Sequence, residues 1–92
     1  MRLFPSGQFV MTQGISAEMA EVKFAKYVHE SLQRHIEGDW GDMDEHDLAV
    51  NAEALKDGGR LFSAYERDGL PKVWIITESD RSVTTVLLPD EY

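Results

Sequence analysis

The sequence has no cysteine, only three prolines and no apolar run long enough to span a bilayer. Without cysteine there can be no disulfide framework, thiolate zinc site or cysteine nucleophile. Nothing approaches the roughly 18 consecutive apolar residues of a membrane helix, and the N-terminus lacks the basic, apolar and small-residue succession of a secretory signal. We therefore expect a cytoplasmic protein with no membrane partner.

Basic residues are also scarce. The 92 residues include nine Lys or Arg against 17 Asp or Glu, which gives a formal charge of −8. Because a nucleic-acid-binding surface needs clustered positive charge, this balance argues against direct binding of DNA or RNA. Apolar residues make up 42% of the chain, enough for one small core, so we expect residues 1–92 to form a single domain.

The negative charge is concentrated in one segment. Residues 37–57 hold eight acids against Lys56, a net charge of −7, whereas residues 1–36 carry +1 and residues 58–92 carry −2. Such a segment predicts an interaction surface for a protein partner with basic surface charge. Its candidate residues are Glu37, Asp39, Asp42, Asp44, Glu45 and Asp47. The alternative is that these acids only stabilise a turn and a helix N-terminus.

Helical periodicity dominates the first half of the chain. Apolar residues recur every four positions from Phe24 to Ile36, and Ser16 is a candidate N-cap. The pattern fits one helix that ends near Gly38, or two helices with a break near Val22. We expect Trp40 to fold back onto the core from the turn that follows.

A further helix is predicted between Asp44, as N-cap, and Gly58, as the left-handed residue that ends it. Its apolar stripe is predicted to contain Leu48, Ala52 and Leu55.

The last third changes to short apolar segments separated by polar turns, which is typical of strands. The predicted strands are 60–66, 72–77 and 83–88, and residues 8–12 form a fourth candidate. Because the loops between the last three are short, we expect antiparallel pairing. The predicted fold is α+β, with a two-layer arrangement of an antiparallel three- to four-stranded meander sheet packed against two or three helices.

The meander also suggests an alternative function. Arg60, Glu78, Arg81 and Thr85 could form a metal-independent ribonuclease site, with a carboxylate as base and arginine holding the phosphate. The hairpin loosely looks like the C-terminal hairpin of barnase-like and colicin-type ribonucleases. It departs from them because Arg81 stands where a histidine acid is expected, and arginine does not donate a proton near neutral pH. The other interpretation is a hairpin turn with a local Asp80–Arg81 charge pair.

Two patterns raise the question of a metal site, and both fall short. An EF-hand loop starting at Asp42 would place His46 fifth and Asp47 sixth, where an oxygen ligand and glycine are required. His29, His35 and His46 show no His-x-x-x-His spacing, which favours surface or hydrogen-bonded histidines. We therefore predict no metal site and no cofactor.

Several segments carry a resemblance when taken together: GDWGD at 38–42, GGRL at 58–61, SAY at 63–65, and the run 74–92 that ends in LPDEY. They are similar to those of a group of short proteins found on plasmids and integrating elements of bacteria. The likeness covers about residues 7–92. That group has no established activity, so the resemblance implies a mobile-element setting and no mechanism.

The sequence thus favours a small acidic interaction protein without enzymatic activity, binding a basic protein that handles nucleic acid in the host or in its defences. The first alternative is the small ribonuclease described above. The second is a structural homodimer, joined through an exposed sheet edge or an apolar face.

Overall fold

The computed structural model describes residues 2–92. Within them lie three helices, α1 (Gln13–Glu18), α2 (Val22–Ile36) and α3 (Glu45–Asp57). The strands are β1 (Gln8–Met11), β2 (Leu61–Arg67), β3 (Leu70–Thr77) and β4 (Val83–Leu87), and a 3₁₀ turn covers Pro89–Glu91. The fold class is α+β, as predicted. None of the helices in residues 2–92 is long and apolar enough to cross a bilayer.

The four strands form one sheet in the order β1-β4-β3-β2. The β2-β3-β4 meander is antiparallel, as its short loops predict. The prediction of an entirely antiparallel sheet was wrong, because β1 pairs with β4 in parallel, with Gln8 opposite Val83 and Met11 opposite Val86. No tight turn joins β1 to β4. Its direction is set instead by the long path through the helices, which permits a parallel pair.

The main core lies between α2 and one face of the sheet. Side chains on alternate positions of β2, β3 and β4 meet the buried face of α2, which follows from the period of two along a strand and of 3.6 along a helix. The fully buried members include Ile15, Phe24, Tyr27, Val28, Tyr65, Val73, Ile75 and Val86. A smaller cluster contains Phe4, Trp40, Ala54 and Leu61, so Trp40 does fold back onto the core.

The first helical region is two helices, and Ser16 does not cap either of them. The N-cap of α1 is Thr12, whose hydroxyl accepts a hydrogen bond from the Ile15 amide at 3.4 Å. From the far end of the chain, the Glu91 carboxylate accepts hydrogen bonds from the Thr12 hydroxyl and from the Gly14 amide, the latter at 2.9 Å. This contact fixes α1 beside the C-terminus, and the chain turns before α2 begins.

The ends of α3 are those predicted, but its buried face is not. Asp44 accepts from the amide three residues on, at 2.9 Å, and Gly58 is left-handed with φ 79°. The buried residues of α3 are Asn51 and Ala54, whereas Leu48 and Val50 are 39% and 50% exposed. The helix lies along the outer edge of β2, so the amide side chain of Asn51 faces the sheet; of the predicted stripe, Leu55 packs against the smaller cluster, and Leu48 and Ala52 are exposed.

Candidate functional site

Asn51 joins α3 to the outer edge of β2. Its amide nitrogen donates to the Phe62 carbonyl at 2.6 Å, and its amide oxygen accepts from the Phe62 amide at 3.1 Å. The side chain thereby satisfies the backbone groups that an unpaired edge strand would leave open. Because Asn51 is 1% exposed, these bonds are shielded from water and fix the position of the helix on the sheet.

The connection between α2 and α3 covers the next part of the same edge. The Ala64 amide donates to the Trp40 carbonyl at 3.2 Å, and the Asp42 amide donates to the Ala64 carbonyl at 2.7 Å. One carboxylate oxygen of Asp42 accepts from the Glu66 amide at 3.0 Å. A side chain at Gly41, where φ is 77°, would place its Cβ 2.2 Å from the Ala64 carbonyl oxygen, so this close approach requires glycine.

Asp39 stabilises the start of that connection. Its carboxylate forms a two-bond ion pair with the Arg34 guanidinium, at 2.8 and 3.1 Å, and accepts from the Gly41 amide at 3.2 Å. The hydrogen bond from Arg34 is the main reason that the pKa of Asp39 is lowered. Arg34 also lies over the ring of Tyr65, 4.8 Å from its centroid. Asp39 is therefore tied into the fold.

The six predicted interaction residues thus divide into two groups. Asp39, Asp42 and Asp44 stabilise the turn, the sheet edge and the N-terminus of α3, as the alternative interpretation expects. Glu37 lies at the end of α2 and accepts from Gln33 at 3.4 Å. Glu45 and Asp47 are exposed on the first turn of α3.

The exposed side of α3 carries acids and apolar residues together. Glu53 continues the acidic residues along the helix, and the exposed side chains of Leu48 and Val50, two positions apart, leave the helix on different sides. Carboxylates with aliphatic side chains beside them can serve as a binding face, because the acids steer a partner and the apolar groups lose water on contact. We name as the α3 surface Glu45, Asp47, Leu48, Val50 and Glu53.

A cleft of about 290 Å³ lies between α3 and the sheet face turned away from α2. The register places Phe62 opposite Ile76 in this face, and both side chains line the cleft. Asp47 and Val50 line it from α3, and Arg60 lines it from the start of β2. We call this the α3 cleft.

The predicted ribonuclease residues Arg60 and Glu78 do come together, as an exposed ion pair. The Arg60 guanidinium donates to both carboxylate oxygens of Glu78, at 3.2 and 3.4 Å, and to the Tyr92 hydroxyl at 3.2 Å. A phosphate bound at Arg60 would have to displace that carboxylate. The pair instead joins β2 to the end of β3 and to the C-terminus.

Arg81 is turned toward backbone carbonyls. Its guanidinium donates to the carbonyl oxygens of Gly59 at 2.6 Å, Ala54 at 3.1 Å and Glu78 at 3.1 Å, and its backbone is left-handed, with φ 61°. Thr85 is half-buried on β4, opposite Ile76 of β3. In place of the expected Asp80–Arg81 charge pair, the Asp80 carboxylate accepts hydrogen bonds from the amide and the hydroxyl of Ser82, at 3.0 and 2.6 Å. Of the four predicted residues, Arg60 and Glu78 therefore pair with each other, and the guanidinium of Arg81 is occupied by backbone carbonyls.

The three histidines are separate. His29 and His46 are exposed on α2 and α3, while His35 is fully buried. Among residues 2–92 there is no group of three metal-ligating side chains. Rings of Phe4 and Trp40 lie edge-on to His35 at 5.5 and 5.4 Å between centroids.

His35 belongs to a chain of buried hydrogen bonds whose donors can be assigned. Thr84 donates to the Ser6 carbonyl at 2.7 Å, so Thr77 must donate to Thr84, also at 2.7 Å. Because the single O–H of Thr77 is used toward Thr84, the Thr77 hydroxyl oxygen accepts a hydrogen bond from Nε2 of His35 at 2.9 Å. Nδ1 accepts from the hydroxyl of Ser63. This is the bonding of a neutral ring, which burial favours because it lowers the pKa of His35 to about 4.

Sequence reasoning missed both Asn51 and the buried chain at His35. A signal exists for each. His35 continues the spacing of Phe24, Val28 and Ser31, which are the buried positions of α2. Asn51 is an amide in the interior of a predicted helix, where asparagine is unfavourable unless its side chain has a specific partner.

Comparison of the chain with protein-family models, with curated proteins and with solved structures gave no match. The functional argument therefore depends on the geometry of the chain itself.

Proposed function

We propose that this chain is an interaction protein without enzymatic activity, and that its α3 surface binds a basic surface of a protein that handles nucleic acid. One observation carries the proposal. α3 buries Asn51 and Ala54 and leaves its aliphatic residues Leu48 and Val50 exposed among Glu45, Asp47 and Glu53. A helix fixed to a sheet edge by Asn51 can present these side chains without rearranging.

The charge of the region supports the same class of partner. Residues 37–57 carry a net charge of −7. Within this segment Glu45, Asp47 and Glu53 are exposed on α3. Such a surface attracts Lys/Arg clusters, which in nucleic-acid-handling proteins normally face phosphates. The resemblance to plasmid-related proteins supports a partner in the host or in its defence systems.

Capture from a nuclease-treated bacterial lysate tests the proposal. The immobilised chain is compared with a neutralised variant, Glu45→Gln, Asp47→Asn and Glu53→Gln. A matched control removes three exposed acids elsewhere, Glu18→Gln, Glu21→Gln and Asp68→Asn.

We expect basic nucleic-acid-handling proteins to be retained at about 50 mM salt and released by about 300 mM, because screening shortens the range of exposed charges. The control should retain them, and the neutralised variant should not. Equal retention by all three chains would show that the α3 surface is not the binding face.

A specific observation favours a homodimer as the second candidate. β1 is an edge strand, and within residues 2–92 no strand pairs with its outer side. It contains no charged residue, and Phe9 and Met11 are 45% and 46% exposed. An uncharged edge of this kind can pair with the same edge of a second copy.

A further inference from the structure

The α3 cleft combines an apolar floor with one available negative charge. Phe62 and Ile76 come from the sheet, and Val50 from the helix. Asp47 lines the same cleft, and among residues 2–92 its carboxylate has no hydrogen-bond or ion-pair partner. Arg60 also lines the cleft, and its guanidinium is ion-paired with Glu78.

These groups match the two parts of a long cationic side chain. Such a side chain lays its methylene stem on apolar surface and keeps its charged head in contact with water or an acid. A planar guanidinium also interacts well with an aromatic ring such as that of Phe62. The volume of about 290 Å³ lies just below the usual range for small-molecule pockets, about 300–1,000 Å³, which favours a single side chain over a cofactor.

We propose that the α3 cleft binds one arginine side chain of the basic partner, with the stem against Val50 and Phe62 and the guanidinium at Asp47. This inference rests on the proposed function, since it names the group by which the partner is anchored. It differs from general charge attraction, because only a cation that enters the cleft would contact Phe62 and Ile76.

The probe is n-butylguanidinium, which reproduces an arginine side chain, and its neutral control is n-butylurea. Titration into the ¹⁵N-labelled chain is followed by amide chemical shifts. We expect saturable shifts at Asn51, Phe62 and Ile76 with n-butylguanidinium, and at least about fivefold weaker binding of n-butylurea, because it lacks the charge.

Three variants test the contacts. Asp47→Asn should weaken binding of n-butylguanidinium about fivefold, since it removes the ion-pair partner. The matched control, Asp57→Asn, removes an exposed acid of α3 that belongs neither to the α3 surface nor to the cleft lining, so it should leave the affinity within about twofold at moderate salt. Val50→Phe enlarges a half-exposed side chain at the cleft and should block entry while the fold is kept.

A second titration, with octa-arginine, separates this inference from the proposed function. If octa-arginine binds the α3 surface but n-butylguanidinium causes no saturable shifts in the cleft, or Asp47→Asn and Asp57→Asn behave alike, the arginine site is refuted and the acidic surface stands. If octa-arginine fails to bind as well, both proposals fall. Binding of both probes, lost from the cleft in Asp47→Asn, supports both.

Discussion

At the scale of single residues, the buried polar side chains constrain the fold most sharply. His35 holds β2 and β3 together through Ser63 and Thr77, and Thr84 continues the chain of bonds to the Ser6 carbonyl. Every member has a partner, which is the condition under which a buried polar chain stabilises a fold. A proton added to Nδ1 would remove the acceptor that Ser63 uses.

His35 predicts a pH dependence of stability. The pKa of His35 is lowered from 6.5 to about 4 by burial, so between these values the unfolded chain binds a proton that the folded chain does not. The free energy of unfolding is therefore at its full value above pH 6.5 and falls as the pH is lowered, by about 2 kcal/mol at pH 5.

Urea unfolding at pH 7.5 and pH 5 measures this change. A His29→Gln, His46→Gln double variant should keep it, because those side chains are exposed, and His35→Gln should reduce it. Should His35→Gln not fold, the ring protons of His35 in the double variant report the titration directly. A midpoint near 6.5 in the folded chain would contradict the assignment.

Arg81 is predicted to be structural. Its guanidinium satisfies carbonyls at the end of α3 and in the turn before β4, and hydrogen bonds to a charged group contribute about 1.5–3 kcal/mol each at most. Arg81→Ala should therefore lower the free energy of unfolding by about 2 kcal/mol. Arg60→Ala, which removes an exposed ion pair, should cost less than about 1 kcal/mol. Equal losses in denaturant titrations would contradict this difference.

These residue roles mark the limit of what the sequence can predict. The caps Asp44 and Gly58 follow from local backbone chemistry and were predicted. Arg81 was assigned to a turn, yet its bonds reach Ala54 and Gly59, which come near it only in the folded chain. A contact of this kind depends on tertiary packing, so the spacing of residues along the chain does not predict it.

At the scale of secondary-structure elements, Asn51 is the main polar link between α3 and the sheet. It supplies both a donor and an acceptor to Phe62, while Ala54 and Leu55 pack against the smaller core cluster. Asn51→Ala should lower the free energy of unfolding by about 2–3 kcal/mol, since it removes two bonds and leaves buried backbone groups unpaired.

Glu53→Gln is the matched control for that change and should be neutral within about 0.5 kcal/mol. Hydrogen exchange of the Phe62 amide gives a local readout, because it should accelerate in Asn51→Ala. An unchanged exchange rate at Phe62 would show that Asn51 does not protect the edge.

Elements differ in how far the sequence determines them. The β2-β3-β4 meander follows from short loops and apolar runs, and its antiparallel pairing was predicted correctly. The direction of β1 was not, because no short loop constrains it and Glu91 fixes the following helix from the opposite end of the chain. The buried face of α3 was also wrong, since periodicity ranks leucine above asparagine and contains no information about a sheet edge.

At the scale of the whole molecule, the two edges of the sheet are treated differently. The β2 edge is covered by Asn51, Trp40 and Asp42, whereas the outer side of β1 has Phe9 and Met11 partly exposed.

If β1 mediates a homodimer, sedimentation should show a mass that rises with concentration. Phe9→Lys should abolish that rise, and Glu18→Lys should not. A constant monomer mass would exclude this association.

The charge distribution of the whole molecule narrows the proposed binding surface to part of one segment. The acids of residues 37–57 divide between those that hold the turn and those that project from α3, so the proposed binding surface uses only part of the total charge of −8. A partner that normally binds phosphates should then be unable to hold this chain and DNA at the same time.

Competition between this chain and DNA for the captured partner is the most direct test. Fluorescence anisotropy follows the release of labelled DNA from the partner as the chain is added. The account predicts complete release, weakened by added salt, and at least about tenfold weaker release by the Glu45→Gln, Asp47→Asn, Glu53→Gln variant. A partner that keeps its DNA while bound to the chain, or equal release by the variant, would contradict it.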